Sequence, residues 1–273
     1  FGTVRIFGGC ENYLGAPLLS AKASYAVGAG LVEINSTETV RNTMASSLME
    51  AIWNVFPSDL NVQSWVANRL PDKARSSWLI GPGMSATAAK LFHGVVTDLT
   101  AHGAVFPPLV LDATILNCLS NDSRQLPTGT ILTPHPGEMA RMIDVSVSDV
   151  QSSRIEVAEA FSRQTGAVVV LKGAYTVISA PTGQTWVSPF ANSALAKAGS
   201  GDVLAGTIAG FAAQLQDPVA ASILGVWFHG EAAEKYRSTQ HDTRALNPST
   251  IPDDYANVFA ELSPDQHSFK RMR

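Results

Sequence analysis

The stretch AVVVLKG, residues 167–173, runs from an apolar block into a lysine and a glycine. An uninterrupted apolar block of this kind is typical of a strand buried on both faces of a parallel sheet. Similar short runs recur along the chain, separated by longer stretches of helical spacing: TVRIF (3–7), LVEIN (31–35), SWLIG (77–81), LVLDA (109–113) and TILTP (130–134). This alternation predicts an α/β fold in three layers, with a mainly parallel central sheet and helices on both faces.

The segments between these strands predict helices and one hairpin. Helical spacing of apolar residues predicts helices over 16–30, 87–101 and about 147–165. The pair YTVIS (175–179) and TWVS (185–188) predicts two short antiparallel strands.

The C-terminal part, from Asp202 to about Lys235, predicts two helices interrupted at QDP (216–218). Asp217 suits the capping position before the second helix, and Pro218 suits its first turn, because the missing N–H of proline is unpaired there anyway. We therefore expect a helix pair at this end of the chain.

Length and composition favour one large domain covering residues 1–273. Charged residues make up 15% of the chain, against roughly 25% in average soluble proteins. This is expected where helices cover both sheet faces, and it is compatible with contacts between subunits. Because the sequence opens on FGTVRIFGG without a methionine, we expect that an upstream segment is missing.

Charge and hydropathy argue against several classes of partner. The formal net charge is −4, and no basic stripe that would neutralise nucleic-acid phosphates is visible. No apolar run reaches the length of about 18 residues that a membrane span needs. With two cysteines, Cys10 and Cys118, the chain shows no disulfide framework. These features predict a cytoplasmic protein with neither nucleic-acid nor membrane partners.

Polar residues and glycines follow the predicted strands directly. They are GPG (81–83), Asp112, PHPGE (134–138) and KG (172–173). Since ligands of open parallel sheets bind outside the carboxyl ends of the strands, these turns are the expected site.

The stretch ALAKAGSGDVLAG (194–206) places glycines at the start of a predicted helix. Gly199 and Gly201 would let backbone N–H groups approach a ligand, and the helix N-terminus favours an anion such as phosphate. Asp202 has two interpretations: a base that takes a proton from a hydroxyl attacking that phosphate, or a helix cap.

The other candidates also have structural interpretations. Gly83 either forms part of a turn or leaves room for a ring or ribose of a ligand to lie against the backbone. His135, between two prolines, contacts a ligand or has a structural role, and Glu138 fits the first turn of the next helix. Lys172 reaches a phosphate or is a solvated lysine at a strand end. The sequence shows no metal-ligand spacing, so metal ligands stay unassigned.

The chain resembles the ADP-dependent NAD(P)H-hydrate dehydratases, a carbohydrate-kinase-like group of the ribokinase superfamily. The resemblance covers nearly the whole chain, in family order. The blocks that carry it are FGGCENYLGAPLLSAKASYAVGAGLVEI (7–34), LIGPGMS (79–85), LVLDA (109–113), ILTPHPGEMARM (131–142), VVVLKGAYTVIS (168–179), ANSALAKAGSGDVLAGTIAGFAAQ (191–214) and GVWFHGEAA (225–233).

The resemblance implies a lyase of metabolite repair, which restores NADH or NADPH from hydrated forms at the expense of ADP, with ATP as an alternative donor and Mg²⁺ as cofactor. Asp202 would be the catalytic base. Ala16, Gly83, His135 and Asp202 would contact the hydrated nicotinamide nucleotide. The adenine nucleotide would be held by Lys172, Gly173, Ala174, Tyr175, Thr176, Gly199, Ser200 and Gly201. The resemblance also implies a homo-oligomer, for example a tetramer.

The sequence departs from the family pattern in several places. Thr114 stands where many relatives carry an acid, which would lower activity if that acid orders magnesium or substrate. Ser200 replaces a common threonine but keeps its hydroxyl, and no N-terminal epimerase domain is visible. Two alternatives stay open: a kinase of hydroxymethylpyrimidine or hydroxyethylthiazole, and a nucleotide-binding protein that has lost catalysis.

Overall fold

The computed structural model describes residues 1–56, 62–70, 75–119, 126–239 and 242–262. A nine-stranded sheet runs through these residues. Its strands are β1 (Thr3–Phe7), β2 (Leu31–Ser36), β3 (Ile52–Val55), β4 (Ser76–Ile80), β5 (Leu109–Leu111), β6 (Thr130–Leu132), β7 (Val168–Leu171), β8 (Val177–Ser179) and β9 (Thr185–Val187).

The strand order is β3-β2-β1-β4-β5-β6-β7-β8-β9. The pairs from β3 to β7 are parallel, and β8 and β9 add antiparallel strands at one edge. The predicted mainly parallel sheet is confirmed, and the hairpin lies where it was expected. Because the chain runs outward from β1 to β3 and then returns to β4, the order reverses between β1 and β4, the kind of point where open sheets form a ligand crevice.

Helices cover the sheet on both sides. They are α1 (Ala16–Ala26), α2 (Glu38–Met44), α3 (Val62–Ala67), α4 (Ala86–Ala101), α5 (Pro136–Ile143), α6 (Val147–Ser152), α7 (Arg154–Thr165), α8 (Ser200–Leu215), α9 (Pro218–Ser238) and α10 (Tyr255–Leu262). Short 3₁₀ helices occupy Ala45–Ser47, Ala113–Cys118, Ser193–Leu195, Thr243–Ala245 and Pro248–Asp254. None of the helices in the described ranges is long and apolar enough to cross a bilayer.

The single helix predicted over about 147–165 is wrong. Ser153, with φ −140° and ψ 47°, separates α6 from α7. The helix predicted over 16–30 ends at Ala26, and Gly28 follows with a positive φ of 97°. Asp217 and Pro218 begin α9 as expected, since the Asp217 side chain accepts hydrogen bonds from the N–H groups of Val219 and Ala220.

The strands divide the core into two halves. Alternate residues of one strand belong to opposite clusters: Val168 and Val170 of β7 share a cluster with residues of α1, α8 and α9, whereas Val169 and Leu171 share one with residues of α4 and α7. This alternation follows from the two-residue period of a strand. It confirms three layers with a buried sheet between them.

Helix α8 packs closely against α1, in a position fixed by two contacts. A Cβ on Gly206 would lie 2.2 Å from the carbonyl oxygen of Ser20, so only glycine allows this approach. The Ser20 hydroxyl also donates to the carbonyl oxygen of Asp202, at 2.8 Å. These contacts fix the first turn of α8, and with it Asp202, at the carboxyl edge of the sheet.

Candidate active site

Loops at the carboxyl ends of the strands are tied to one another by backbone hydrogen bonds. Gly9 N–H, after β1, donates to Pro82 O, after β4, at 2.8 Å. Lys172 N–H, after β7, donates to Pro134 O, after β6, at 2.8 Å. Gly81 has φ 123°, and a Cβ there would lie 1.8 Å from Asp112 O, so the GPG turn packs directly on the loop after β5. The turns singled out in the sequence therefore form one continuous surface.

A cluster of charges occupies this surface. Lys172 Nζ lies 2.7 Å from Asp112 Oδ1 and 3.8 Å from Glu138 Oε2. The Thr133 hydroxyl also donates to Asp112 Oδ1, at 2.7 Å. Burial lowers the pKa of Lys172, but Asp112 and Glu138 outweigh it, so the pKa lies above its ordinary value. Lys172 is therefore a fixed cation rather than a solvated strand-end lysine.

Asp202 lies in the first turn of α8 and does not cap it. Gly199 precedes the helix, and no side chain caps its N-terminus. Among the described residues, the Asp202 carboxylate has no hydrogen-bond partner. Burial raises its pKa, and the negative charges of Asp112 and Glu138 raise it further. The positive charge of Lys172 lowers it, and the resulting pKa is about 7. A carboxyl that is half ionised near neutral pH is suited to accept a proton.

The Gly199–Gly201 turn has the geometry of an anion site. Gly199 has φ 93°, a conformation that favours glycine, and α8 begins at Ser200. A Cβ on Gly201 would lie 3.4 Å from Lys172 Nζ, so the ammonium faces the turn. Unpaired N–H groups of the first helical turn and a nearby cation together favour a phosphate.

A cavity of about 320 Å³ opens beside this turn. Six of the eight residues predicted to hold the adenine nucleotide line it: Lys172, Gly173, Ala174, Thr176, Ser200 and Gly201. Its remaining wall carries Phe190, Leu195, Leu204, Val226 and His229 among others. Tyr175 and Gly199 are not part of the lining. Tyr175 has φ 55° and is exposed, and its N–H donates to Phe190 O at 2.8 Å, so it shapes the loop through its backbone.

The residues predicted to contact the nicotinamide nucleotide lie outside this cavity but at the same edge of the sheet. Gly83 has φ 65°, and a Cβ there would lie 2.8 Å from Ala16 Cβ and 2.8 Å from Tyr13 O. Gly83 and Ala16 are therefore neighbours. Of this group, Asp202 directly follows the Gly199–Gly201 turn in sequence, and none of the four residues lines the 320 Å³ cavity.

His135 begins α5. Its Nδ1 accepts hydrogen bonds from the N–H groups of Gly137 at 3.0 Å and Glu138 at 3.3 Å, and the Glu138 carboxylate accepts from the His135 N–H. Burial, Lys172 and Arg141 lower the pKa of His135. The ring is therefore neutral with its proton on Nε2, and half of the side chain is exposed. His135 therefore has the structural role of capping α5, and its Nε2–H remains able to donate a hydrogen bond to a ligand.

The sequence placed Asp112 and Glu138 in the turns of the expected site without a chemical role for either, and it did not single out His229. The pairing of Asp112 with Lys172 joins residues 60 positions apart, and such a pairing leaves no trace in local spacing. Thr114 is half-buried and lies in the 3₁₀ helix Ala113–Cys118, which begins directly after Asp112.

The sheet topology defines a ribokinase-like fold: a mainly parallel sheet, with the glycine turn that begins α8 at its carboxyl edge. A ribokinase-like superfamily protein from Enterococcus faecalis has the same fold, with a TM-score of 0.79, 24% identity and coverage of 97% of this chain and 88% of that one.

Within this class, the chain belongs to the NAD(P)H-hydrate dehydratase family, whose profile matches residues 4–255. The resemblance inferred from the sequence is confirmed. A bifunctional NAD(P)H-hydrate repair enzyme of Moorella thermoacetica is 35% identical over 97% of this chain. This chain spans 50% of that relative's length.

A Bacillus subtilis relative provides both a sequence and a structural comparison. The ADP-dependent (S)-NAD(P)H-hydrate dehydratase of that organism is 34% identical over 93% of this chain and 87% of its own length. The ADP/ATP-dependent enzyme from B. subtilis, co-crystallised with ATP and Mg²⁺ and soaked with CoA, superposes with a TM-score of 0.81 at 31% identity. The superposition covers 96% of this chain and 93% of that structure.

Proposed function

We propose that this chain is an ADP-dependent NAD(P)H-hydrate dehydratase, which converts (6S)-NADH or NADPH hydrate to NADH or NADPH and releases AMP and phosphate. The observation that carries the proposal is Asp202. Its carboxyl has a pKa raised to about 7 and lies in the first turn of the helix that begins at the anion-binding turn. A base and a phosphate site are thereby adjacent, as transfer of a phosphoryl group to a hydroxyl requires.

The reaction has two balanced parts. Asp202 takes the proton of the ring 6-hydroxyl, and that oxygen attacks the terminal phosphorus of ADP. The bond between this phosphorus and the bridging oxygen breaks, and AMP leaves with the bond electrons. The new phosphate ester is a much better leaving group than hydroxide. The nitrogen lone pair of the ring expels it as phosphate, and the adjacent carbon then loses a proton to the released phosphate or to water, which restores the ring double bond.

Lys172 supports the transfer as a fixed point charge. Asp112 and Glu138 hold its ammonium where a Cβ on Gly201 would lie 3.4 Å away. Negative charge that builds up on the transferring phosphoryl oxygens is stabilised by a cation that needs no reorganisation.

The same proposal divides the ligands between two regions. Lys172, Gly173, Ala174, Tyr175 and Thr176, with the turn Gly199–Gly201, would hold the adenine nucleotide. The 320 Å³ cavity supports this for six of these residues, which line it. Ala16, Gly83 and His135, with Asp202, would contact the hydrated nicotinamide nucleotide from the neighbouring loops. His135 Nε2–H is available there as a hydrogen-bond donor.

Magnesium fits the site as an ion carried mainly by the nucleotide. Mg²⁺ is usually bound by one or two carboxylates together with substrate phosphates and water. Within the described ranges, no group of three or more histidine, cysteine or acidic side chains could hold an ion without the nucleotide. Asp112 and Glu138 are the carboxylates that would complete its coordination. When bound, the ion would neutralise charge on the phosphates.

The test is a repair assay. Purified protein is incubated with hydrated NADH and ADP, and absorbance is followed at the NADH band; recovery with stoichiometric AMP release is expected. A hydroxymethylpyrimidine or hydroxyethylthiazole kinase would give no recovery, and the family match and the relatives favour the dehydratase over that alternative. A protein that has lost catalysis, to which Thr114 pointed, would bind ADP and release no AMP. The same assay with ATP in place of ADP, and with NADPH hydrate in place of NADH hydrate, measures which phosphoryl donor and which substrate the protein prefers.

The proposal treats residues 1–273 as one dehydratase domain, since a single sheet runs from β3 to β9. We further propose a cytoplasmic location, which suits the two free cysteines, Cys10 and Cys118. A homo-oligomer such as a tetramer is proposed on the resemblance, and size-exclusion chromatography with light scattering tests it.

A further inference from the structure

His229 is a buried histidine in the wall of the nucleotide cavity. It lies within α9, is 5% exposed, and its Nε2 is 2.9 Å from the Ser200 hydroxyl at the first position of α8. Its Nδ1 is buried and has no hydrogen-bond partner within the described part of the chain. Burial lowers the pKa of His229 to about 4, so the ring is neutral at physiological pH.

The direction of the hydrogen bond between His229 and Ser200 follows from the unpartnered nitrogen. If Nε2 accepted from Ser200, the ring proton would sit on Nδ1, and a buried N–H donor would have no acceptor. Orphaned buried N–H groups are rare, whereas acceptors with unused lone pairs are better tolerated. The Nε2–H form is also the tautomer that free histidine favours. His229 Nε2–H therefore donates to Ser200 Oγ.

This direction leaves the proton of Ser200 unused. Among the described residues, the Ser200 hydroxyl has no hydrogen-bond partner other than His229. The serine lies between Gly199 and Gly201 in the anion-binding turn, and it lines the cavity together with Lys172. With one lone pair engaged by His229, the hydroxyl still has its own proton to donate, and the ligand expected at this turn is an acceptor, a phosphate oxygen.

We propose that His229 is a positioning residue for phosphate binding: it donates from Nε2 to Ser200 Oγ and thereby directs the serine's own proton to the terminal phosphate of the bound nucleotide. This inference rests on the proposed function, because it takes ADP as the ligand of the cavity. His229 is thereby assigned to recognition of the terminal phosphate rather than of the adenine base. The Ser200–His229 pair should therefore distinguish ADP from AMP.

Calorimetric titration of ADP and of AMP, each with Mg²⁺, tests the proposal. Ser200→Ala and His229→Leu should each weaken ADP binding by about 10-fold, the size expected for one hydrogen bond to a charged group, and leave AMP binding unchanged. The double variant should lose no more than either single variant, since the two residues act through one proton. His229→Gln, which keeps an amide N–H near the position of Nε2, and Ser200→Thr should retain ADP affinity.

Two controls keep the result interpretable. His93→Leu replaces a partly buried histidine on α4 that is not among the cavity-lining residues, and it should change neither titration. If His229→Leu does not fold, His229→Asn replaces it, since asparagine stays polar and is too short to reach Ser200.

Equal weakening of ADP and AMP would overturn the inference, because His229 would then only shape the cavity. So would unchanged ADP affinity in the His229 variants, or additive losses in the double variant. Failure of the wild-type protein to bind either nucleotide is a different outcome: it would overturn the proposed function itself.

Discussion

Lys172 Nζ and Asp112 Oδ1 lie 2.7 Å apart and join the ends of β7 and β5. The same ammonium lies 3.8 Å from Glu138 Oε2 and also acts on the charge of Asp202. Three carboxyl groups thus share one cation. Since like charges oppose each other's ionisation, such a cluster favours retention of a proton by at least one carboxyl at neutral pH. Asp202, whose carboxylate has no hydrogen-bond partner among the described residues, has its pKa raised to about 7.

The pH profile of activity should show this ionisation. A base acts in its deprotonated form, which for Asp202 is populated above its pKa of about 7. We expect kcat/KM for hydrated NADH, at saturating ADP, to rise about tenfold per pH unit well below pH 7 and to level off above it. Initial rates between about pH 5 and about pH 9 measure this. A flat profile through neutral pH would exclude Asp202 as the base.

Asp112→Asn should shift this profile to lower pH. After burial, the charge of Asp112 is the largest cause that raises the pKa of Asp202, so its removal lets Asp202 ionise more easily. The midpoint of the kcat/KM profile is expected below pH 7 even if the maximal rate also falls. Asp144→Asn is the control, because Asp144 is exposed and its left-handed backbone, φ 55°, also suits asparagine. An unmoved midpoint in Asp112→Asn would contradict the coupling.

Asp202→Asn should lower turnover by about 100- to 10,000-fold, the usual cost of losing a positioned base. ADP binding should persist, because the proposed phosphate site is formed by the Gly199–Gly201 turn and Lys172 rather than by this carboxylate. Rates from recovery of the NADH band and calorimetric ADP titrations separate the two effects, with Asp144→Asn again as the control. Unchanged turnover would remove Asp202 from the mechanism.

The same substitution should stabilise the protein against heat at neutral and alkaline pH. A carboxyl with a pKa of 3.8 in the unfolded chain and about 7 in the folded one binds its proton more tightly when folded. Folding stability is therefore lost as pH rises from about 4 to about 7. Asparagine does not ionise and avoids this loss. The difference in Tm between Asp202→Asn and wild type should grow across this range and stay constant above it; thermal melts at several pH values measure it.

The fold could be predicted from local sequence because its strands carry their own signal. The block VVVL (168–171) is apolar on both faces, and the structure buries all of it. The break at Ser153 was missed because helical spacing continues across it, and only the backbone at ψ 47° shows that two helices meet there. Strand β3 and the helices α2 and α3 were not predicted, since they are short.

The sequence predicted only those parts of the site whose residues lie close together in the chain. Gly199, Gly201 and Asp202 lie in one short stretch, so the glycine turn at the start of α8 and the carboxyl beside it were visible in the sequence. The pairs that set the electrostatics are not contiguous: Asp112 with Lys172, and Ser200 with His229 29 positions later. Both pairs depend on how β5, β7, α8 and α9 pack, and tertiary packing of this kind leaves no periodic pattern.

Gly83→Ala should damage the site beside α1, and Gly94→Ala is its matched control. A methyl group at position 83 would lie 2.8 Å from both Ala16 Cβ and Tyr13 O, on a backbone with φ 65°. Such strain and overpacking cost about 1–3 kcal/mol. Gly94, within α4, has nothing within 4 Å of its would-be Cβ, so alanine there should stabilise the protein by about 0.5–1 kcal/mol.

We therefore expect a lower Tm for Gly83→Ala and a higher one for Gly94→Ala. Because Gly83 is not among the residues that line the 320 Å³ cavity, Gly83→Ala should raise KM for hydrated NADH while the Kd for ADP is unchanged. Steady-state kinetics and calorimetry of both variants decide this. If Gly83→Ala weakened ADP binding as much as it raised KM for hydrated NADH, the two ligands would not occupy the separate regions proposed for them.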